Sequence, residues 1–436
     1  MKCLLASSPL VGHVNPVVTV ARILKQAGHE ASIYTGRFFQ EKIESAGLRF
    51  YPLPEDVDHD MRDVDALFPE RSQHEPGLPR MAFDSKRVFV DAMASQFRGL
   101  EAILQDFPAD VVLYEIAFCG VLPLLLSKRS SRPATACIGI SSLLLPRADG
   151  APYGPGLPPP TNSAERAQYR TIAQEVDALM VNPVREYTDQ ILHQLGVESL
   201  PAPLFETTFV SADLVLQPCV TGFEYPLRDP LKKLHFIGAL VPEGEGDVPP
   251  AVRKAKEAGR KIILVSQGTI SNGDFGQLLA PVIQALGSRD DLLILATTGG
   301  RPIDSIPCSL GPNTVASKFL NFNAVLPHVD VLVALGGYGT VTHALSFGIP
   351  MVLAGLTEDK PEIASRVVWT GSGIYLRTDN PTAEQLTDAI HQILSNPSYR
   401  NRATELSLEF AAHNPTQELL QLVEGLVVNR RARSNS

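Results

Sequence analysis

The chain reads as α/β, two domains that are each a doubly wound parallel sheet and that face a cleft. Three observations lead there. Short β-branched or apolar runs alternate with helix-like stretches over the first 140 residues, as parallel βαβ units do. The stretch Pro242–Pro250 is small, acidic and poor in apolar residues, which is linker composition. Beyond it the same alternation restarts. A length of 436 residues suits two or three domains at roughly 100–200 residues each.

In the first unit Lys2–Ala6 reads as a strand. Pro16–Gln26 reads as a helix with Asn15 as N-cap and Pro16 at its first position, and Gly28 ends it. Ala31–Tyr34 is a second strand, Phe38–Ala46 a helix closed by Gly47, and Arg49–Pro52 a third strand. Asp110–Tyr114 and Thr135–Ile140 are further strands, with Phe118–Lys128 between them. Two stretches break the rhythm. Leu53–Leu100 carries many charges with Phe68, Phe83, Phe89 and Phe97, and Leu143–Pro160 is rich in Pro and Gly. They read either as surface loop and packing helix or as insertions that build a substrate pocket.

In the second unit the strands are Lys261–Val265, Leu292–Thr297, Val329–Leu335, Pro350–Ala354 and Gly373–Leu376. The helices are Phe275–Leu286, Tyr338–Phe347, Lys360–Thr370, Thr382–Leu394, Tyr399–Phe410 and Gln417–Val428. The chain thus divides into 1–240, a linker at 241–250 with its hinge near residue 245, 251–410, and a C-terminal helix and tail over 411–436. The basic end, Asn429–Ser436, reads as a frayed terminus. Ligands of open α/β sheets bind at the carboxyl ends of strands, so the cleft between the sheets is the expected site.

Composition removes several functions. Lys+Arg is 38 and Asp+Glu 47, a net charge of −9, against the clustered positive charge that binding to nucleic acid or an anionic membrane needs. The apolar runs stop far short of the ~20 residues of a bilayer span, so no stable membrane insertion is expected. Five scattered cysteines, Cys3, Cys119, Cys137, Cys219 and Cys308, have neither metal-ligand nor redox spacing and read as reduced thiols in the cytoplasm.

Four motifs carry chemistry. Gly12–His13–Val14–Asn15–Pro16 follows the first strand and opens the first helix. A helix N-terminus would hold His13 neutral and able to accept a proton; a His hydrogen-bonded in a turn is the other reading. Glu115 ends a buried-looking strand, where a carboxylate is costly unless paired. It either orients that His or is a surface charge at a strand end. Leu335–Gly336–Gly337–Tyr338–Gly339–Thr340 runs from strand through a Gly-rich turn into a helix, where free N–H groups and the helix dipole favour phosphate; tight packing is the other reading. Ser266–Gln267–Gly268–Thr269 offers a second turn on the same sheet edge. The Gly-rich turn, with Glu358–Asp359 about 20 residues on, also suits a dinucleotide fold, although the third Gly/Ala of that fingerprint is missing.

Together these residues resemble the nucleotide-sugar-dependent glycosyltransferases of small molecules and sterols. Gly12–His13–Val14–Asn15–Pro16 is similar to the family's Gly-His-x-x-Pro start, Ser266–Thr269 to its Ser/Thr-x-Gly-Ser/Thr turn, Phe319–Leu326 to its base-stacking segment, and Leu335–Asp359 to its long donor signature. The resemblance implies two Rossmann-like domains facing a cleft (GT-B), an N-terminal acceptor-binding and a C-terminal nucleotide-sugar-binding domain. It implies His13 as general base and Glu115 as the residue orienting it. Gly336, Gly337, Gly339, Thr340 and Thr269 would hold the diphosphate, Phe319 and the Leu320 backbone the base, and Glu358 and Asp359 the sugar hydroxyls. The family's phosphate-contacting His is Leu335 here, its ribose-gripping Glu is His343, and its sugar-binding Gln is Lys360, so His343 and Lys360 join the donor-site candidates.

The resemblance implies inverting transfer from a nucleoside-diphosphate sugar to a hydroxyl, with no metal and no further cofactor. The aromatics of Leu53–Leu100 point to a small lipophilic acceptor such as a secondary metabolite. A catalytically degenerate scaffold that binds a ligand or partner, and an NAD-type oxidoreductase, are the alternatives.

Overall fold

The computed structural model describes residues 1–434 except 76, 242, 243, 245, 270 and 271, with side chains described as far as residue 432. Pro242, Glu243 and Glu245 of the expected linker and hinge therefore lie outside the described residues.

Thirteen strands form two sheets among the described residues. The first contains β1 (Lys2–Ala6), β2 (Glu30–Thr35), β3 (Arg49–Pro52), β4 (Val111–Glu115), β5 (Ala134–Ile138), β6 (Leu214–Gln217) and β7 (Leu234–Phe236), in the order β3-β2-β1-β4-β5-β6-β7. The second contains β8 (Lys261–Ser266), β9 (Leu292–Thr297), β10 (Thr314–Ser317), β11 (Val331–Ala334), β12 (Met351–Leu353) and β13 (Gly373–Tyr375), in the order β10-β9-β8-β11-β12-β13. Every pairing is parallel. Apolar clusters lie on both faces of each sheet, which is why β4 (VVLYE) and β5 (ATACI) are buried along their whole length.

The order reverses between β1 and β4 in the first sheet and between β8 and β11 in the second. Ala6 pairs with Tyr114, and Ser266 with Ala334. Each reversal opens a crevice at the carboxyl edge. The first helical turn, which carries His13, and the end of β4 meet at the first, and the Ser266–Thr269 and Gly336–Thr340 turns meet at the second.

Helices used below are α1 (Val11–Gln26), α2 (Tyr338–Ser346), α3 (Lys360–Trp369) and α4 (Pro415–Ser434). α1 starts five residues before the expected Pro16. Leu10 caps it without a side-chain bond, and Asn15 lies inside it. Asn15 and Pro16 read as the cap and first position of the helix, but the His13 and Val14 amides both donate to the Leu10 carbonyl, each at 2.9 Å, and close a first turn ahead of the proline. The end of the chain is also ordered differently from the expectation. α4 returns to the first sheet, burying Leu419, Val423 and Val427 beside Val111, Ala134 and Leu214. Arg431 pairs with Asp110, so the basic terminus is a helix end fastened to β4 rather than a frayed tail.

Candidate active site

His13 sits in the first turn of α1 with its side chain 18% exposed. Its Nδ1 lies 3.2 Å from Oε2 of Glu115, the last residue of β4, which is wholly buried. That distance is within ion-pair reach, but the ring nitrogen is off the line of a hydrogen bond. The carboxylate is held by two backbone donors, the amide of Ser8 at 2.9 Å and that of Ala117 at 2.7 Å. Burial alone would raise the Glu115 pKa, but His13 and these amides outweigh it and hold it below the ordinary value. Burial likewise lowers the basicity of His13, and Glu115 reverses it, with Asp359 and Glu358 adding to the effect. The imidazole pKa is therefore raised, not depressed as a helix N-terminus acting alone would have it. The ring is a stronger base than an ordinary His. Phe89 stacks on it with centroids 5.9 Å apart and planes 17° from parallel, and Phe205 meets Phe89 edge-on at 6.2 Å.

The second crevice presents backbone. Gly337 caps α2 without a side-chain bond, and a Cβ at Gly337 or Gly339 would meet nothing within 4 Å. The first amides of α2 thus face open space, where an anion gains both hydrogen bonds and the helix dipole. Gly336 and the half-exposed Thr340 flank them. Thr269 is exposed on the neighbouring turn. Phe319 is 70% exposed. A Cβ on Gly300 would stand 2.7 Å from its ring, so the glycine lets the ring lie against the backbone with a face open, as a stacking platform needs. Leu320 beside it is partly buried.

Glu358, Asp359 and Lys360 lie at the start of α3. Glu358 holds φ at +59°, a left-handed conformation that costs a non-glycine residue about 1–3 kcal/mol and gathers at functional sites. Its exposed carboxylate pairs with the buried Lys360 ammonium. The protein around that carboxylate strips away part of its water, which alone would raise its pKa, but the Lys360 ammonium outweighs this and holds it below the ordinary value. Asp359 moves the other way, raised by burial and by Glu358. Asp359 also accepts a hydrogen bond from Ser141 of the first domain. Lys360 packs its stem against Gly336 and Gly355 and donates to Thr357 Oγ1 at 3.0 Å.

His343 is buried inside α2. Its Nε2 lies 2.8 Å from the Asn323 side-chain oxygen, between Phe322 and Phe347. Burial pushes its pKa down to about 4, so it is a neutral ring donating Nε2–H to Asn323. The structure thus places it beneath the base-side segment rather than open to the crevice.

The structure brings His13 and Glu115 together and gathers the Ser266–Thr269 and Gly336–Thr340 turns on one sheet edge. The charges of Glu358 and Asp359 reach His13 from the other domain. Sequence reasoning missed Ser8, Phe89 and Ser141. Phe89 was visible only as one of several aromatics, and the other two act through the fold. Among the described residues no group of three or more His, Cys, Asp or Glu is arranged to hold a metal, and no helix is long and apolar enough to cross a membrane.

Comparison with known proteins shows the family and the fold. Residues 281–426 match the family described as Erythromycin biosynthesis protein CIII-like, C-terminal domain. UDP-glycosyltransferase 2 of Phaeomoniella chlamydospora is 34% identical over 434 residues, covering 97% of this chain and 95% of that one. 4'-demethylrebeccamycin synthase of Lentzea aerocolonigenes is 34% identical over 427 residues, covering 98% and 99%. The solved structure of the glycotransferase of kitacinnamycin superposes with a TM-score of 0.70 at 20% identity, covering 98% of each chain. The chain belongs to the nucleotide-sugar-dependent glycosyltransferases of GT-B fold. It is an enzyme of the glycosyltransferase type.

Proposed function

We propose that this enzyme is an inverting transferase that carries a sugar from a nucleoside-diphosphate sugar to a hydroxyl of a small lipophilic acceptor of the secondary-metabolite kind. The observation that carries the reading is the His13–Glu115 pair at the switch point of one sheet, together with an exposed glycine-flanked helix N-terminus at the switch point of the other. Glu115 takes Nδ1, which leaves Nε2 on the far side of the ring to receive the acceptor proton. The acceptor oxygen bonds to the anomeric carbon as that carbon's bond to the diphosphate breaks. The proton goes to His13, and the charge growing on the leaving diphosphate is met by the amides of Gly337, Gly339 and Thr340 and by the α2 dipole. These donors do the job without calling for a metal or further cofactor. Gly336 and Thr269 border the same cradle.

Phe319 stacks on the base with the Leu320 backbone along its edge, and Glu358 and Asp359 receive sugar hydroxyls. Lys360 supplies the positive charge that Leu335 does not, and His343 acts through Asn323 to fix the base-side segment. Phe89 and Phe205 beside His13 support a lipophilic acceptor, as does the similarity to 4'-demethylrebeccamycin synthase. The name of the Phaeomoniella relative supports UDP as nucleotide. Five free thiols support a cytoplasmic setting.

A thermal-shift screen across UDP-, dTDP- and GDP-sugars tests the donor. A ligand at 100 times its Kd that binds only the folded state stabilises it by about 2.7 kcal/mol. A UDP-sugar is expected to raise the unfolding temperature most, and silence from all three classes would sink the donor reading. An acceptor panel in which only hydrophilic sugars are glycosylated would overturn the lipophilic assignment.

A further inference from the structure

The Pro- and Gly-rich segment of the first domain is fastened to the helix of the second domain that begins at the donor acids. Ser141 Oγ donates to Asp359 and lies 3.3 Å from the Tyr153 hydroxyl. The Gly154 and Gly156 amides donate to one oxygen of Glu362, at 2.8 and 2.9 Å. The other oxygen takes the Arg366 guanidinium at 3.0 Å, and Arg366 Nε reaches Glu224 at 2.8 Å. Glu224 in turn accepts the Leu143 amide at 3.2 Å. Ser365 donates to the Gly156 carbonyl.

Glu362, Arg366 and Glu224 are all buried. A buried ion triad adds little net stability over apolar packing, so its value lies in the geometry it imposes. Gly156 sits at φ +63°, where a Cβ would stand 2.5 Å from the Pro361 carbonyl oxygen. The contact is backbone on backbone, and no side chain fits there. On its other side the same segment meets the insertion, with Gly154 facing Leu78 and Met81.

We propose that residues 141–157 form a strap that the Glu362–Arg366–Glu224 triad locks to α3, so that the wall beside the acceptor and the acids that hold the donor sugar move as one unit. Glu362 is then a positioning residue. It touches neither substrate, and it makes occupancy of the donor site felt in the acceptor-side loop. The inference rests on the donor-site reading above.

Hydrogen exchange of the full-length protein, with and without a UDP- or dTDP-sugar as the nucleotide, tests this. Between Ala151 and Pro160 only Ala151, Tyr153, Gly154, Gly156 and Leu157 carry amide hydrogens, and two of these bond to Glu362. In the wild type, nucleotide is expected to slow exchange of this segment at least fivefold. Glu362→Gln leaves Arg366 balanced by Glu224, so the variant is expected to fold. One of its amide groups must oppose either the loop N–H groups or the guanidinium. It should bind nucleotide with a Kd within twofold of wild type by calorimetry, yet lose the nucleotide-dependent protection of 151–157. Gly156→Ala should behave in the same way with the triad intact. Nucleotide that leaves the wild-type segment unchanged, or that protects it equally in both variants, overturns the strap. A wild type that binds neither nucleotide overturns the donor-site reading and the strap with it, and calorimetry tells that outcome apart.

Discussion

His13→Ala should lower kcat by about 10²–10⁴-fold, a barrier increase of about 3–5 kcal/mol at 1.36 kcal/mol per tenfold, while the affinity for UDP stays within a factor of two. The asymmetry follows from geometry. His13 lies at the switch point of the first sheet, and the amides proposed to hold the diphosphate lie at the switch point of the second. Removing the imidazole takes away the proton acceptor and the Phe89 stacking partner. It also leaves Glu115 buried with only the Ser8 and Ala117 amides for company, so a modest stability loss accompanies the kinetic one. Paired measurement of kcat and UDP affinity separates the two. Equal loss of both would mean that the variant is partly unfolded or that His13 belongs to the donor site.

Arg366→Leu should produce the largest stability change. The guanidinium is 1% exposed and holds two buried carboxylates, Glu224 and Glu362. Its face also lies over the Tyr225 ring, 4.4 Å from the centroid. Cutting the pairs while leaving both acids in place costs about 3–5 kcal/mol, a large share of the 5–15 kcal/mol that holds a domain folded. The sign with pH is fixed by linkage. Glu224 already has a raised pKa from burial despite Arg366. Without Arg366 it rises further, so the folded state binds the proton more tightly than the unfolded one. The deficit is therefore full above that folded-state pKa and shrinks as the pH falls through it. Urea unfolding at neutral and acidic pH reads this directly. A variant as stable as wild type at neutral pH would show that the triad is not the buried charge cluster described.

Much of the catalytic half was legible in the sequence because it is local. β1, β4 and β11 are largely apolar runs, and His13, Glu115 and the Gly336–Thr340 turn lie at or just beyond the carboxyl end of one each. Strand-end logic then placed His13 and Glu115 near each other without any tertiary information. What local pattern could not supply was the start of α1, since Asn15 and Pro16 resemble a cap and a first helical position while the turn at Leu10 does the capping. Nor could it supply β7, three half-exposed residues that pair only because β6 is already in place. The direction of the His13 shift was missed for the same reason. Burial and the helix end lower the imidazole pKa, but the Glu115 charge beside the ring outweighs them, and Asp359 and Glu358 add to it from the other domain. The strap is less visible still. Gly154 and Glu362 lie 208 residues apart, and Arg366 in the sequence is one more charge on a helix that otherwise looks half exposed.

The pH dependence of kcat/KM in the wild type and in Glu115→Gln tests the central claim most directly. In the proposed mechanism the unprotonated imidazole is the active form, so activity should climb with pH through the His13 pKa. Glu115, Asp359 and Glu358 raise that pKa above the ordinary 6.5. The wild-type acidic limb is therefore expected above 6.5, and removing the Glu115 charge should move it to lower pH as the rate falls. A limb that stays in place when Glu115 is neutralised would contradict the account, because the group being titrated would then not be the ring that Glu115 holds.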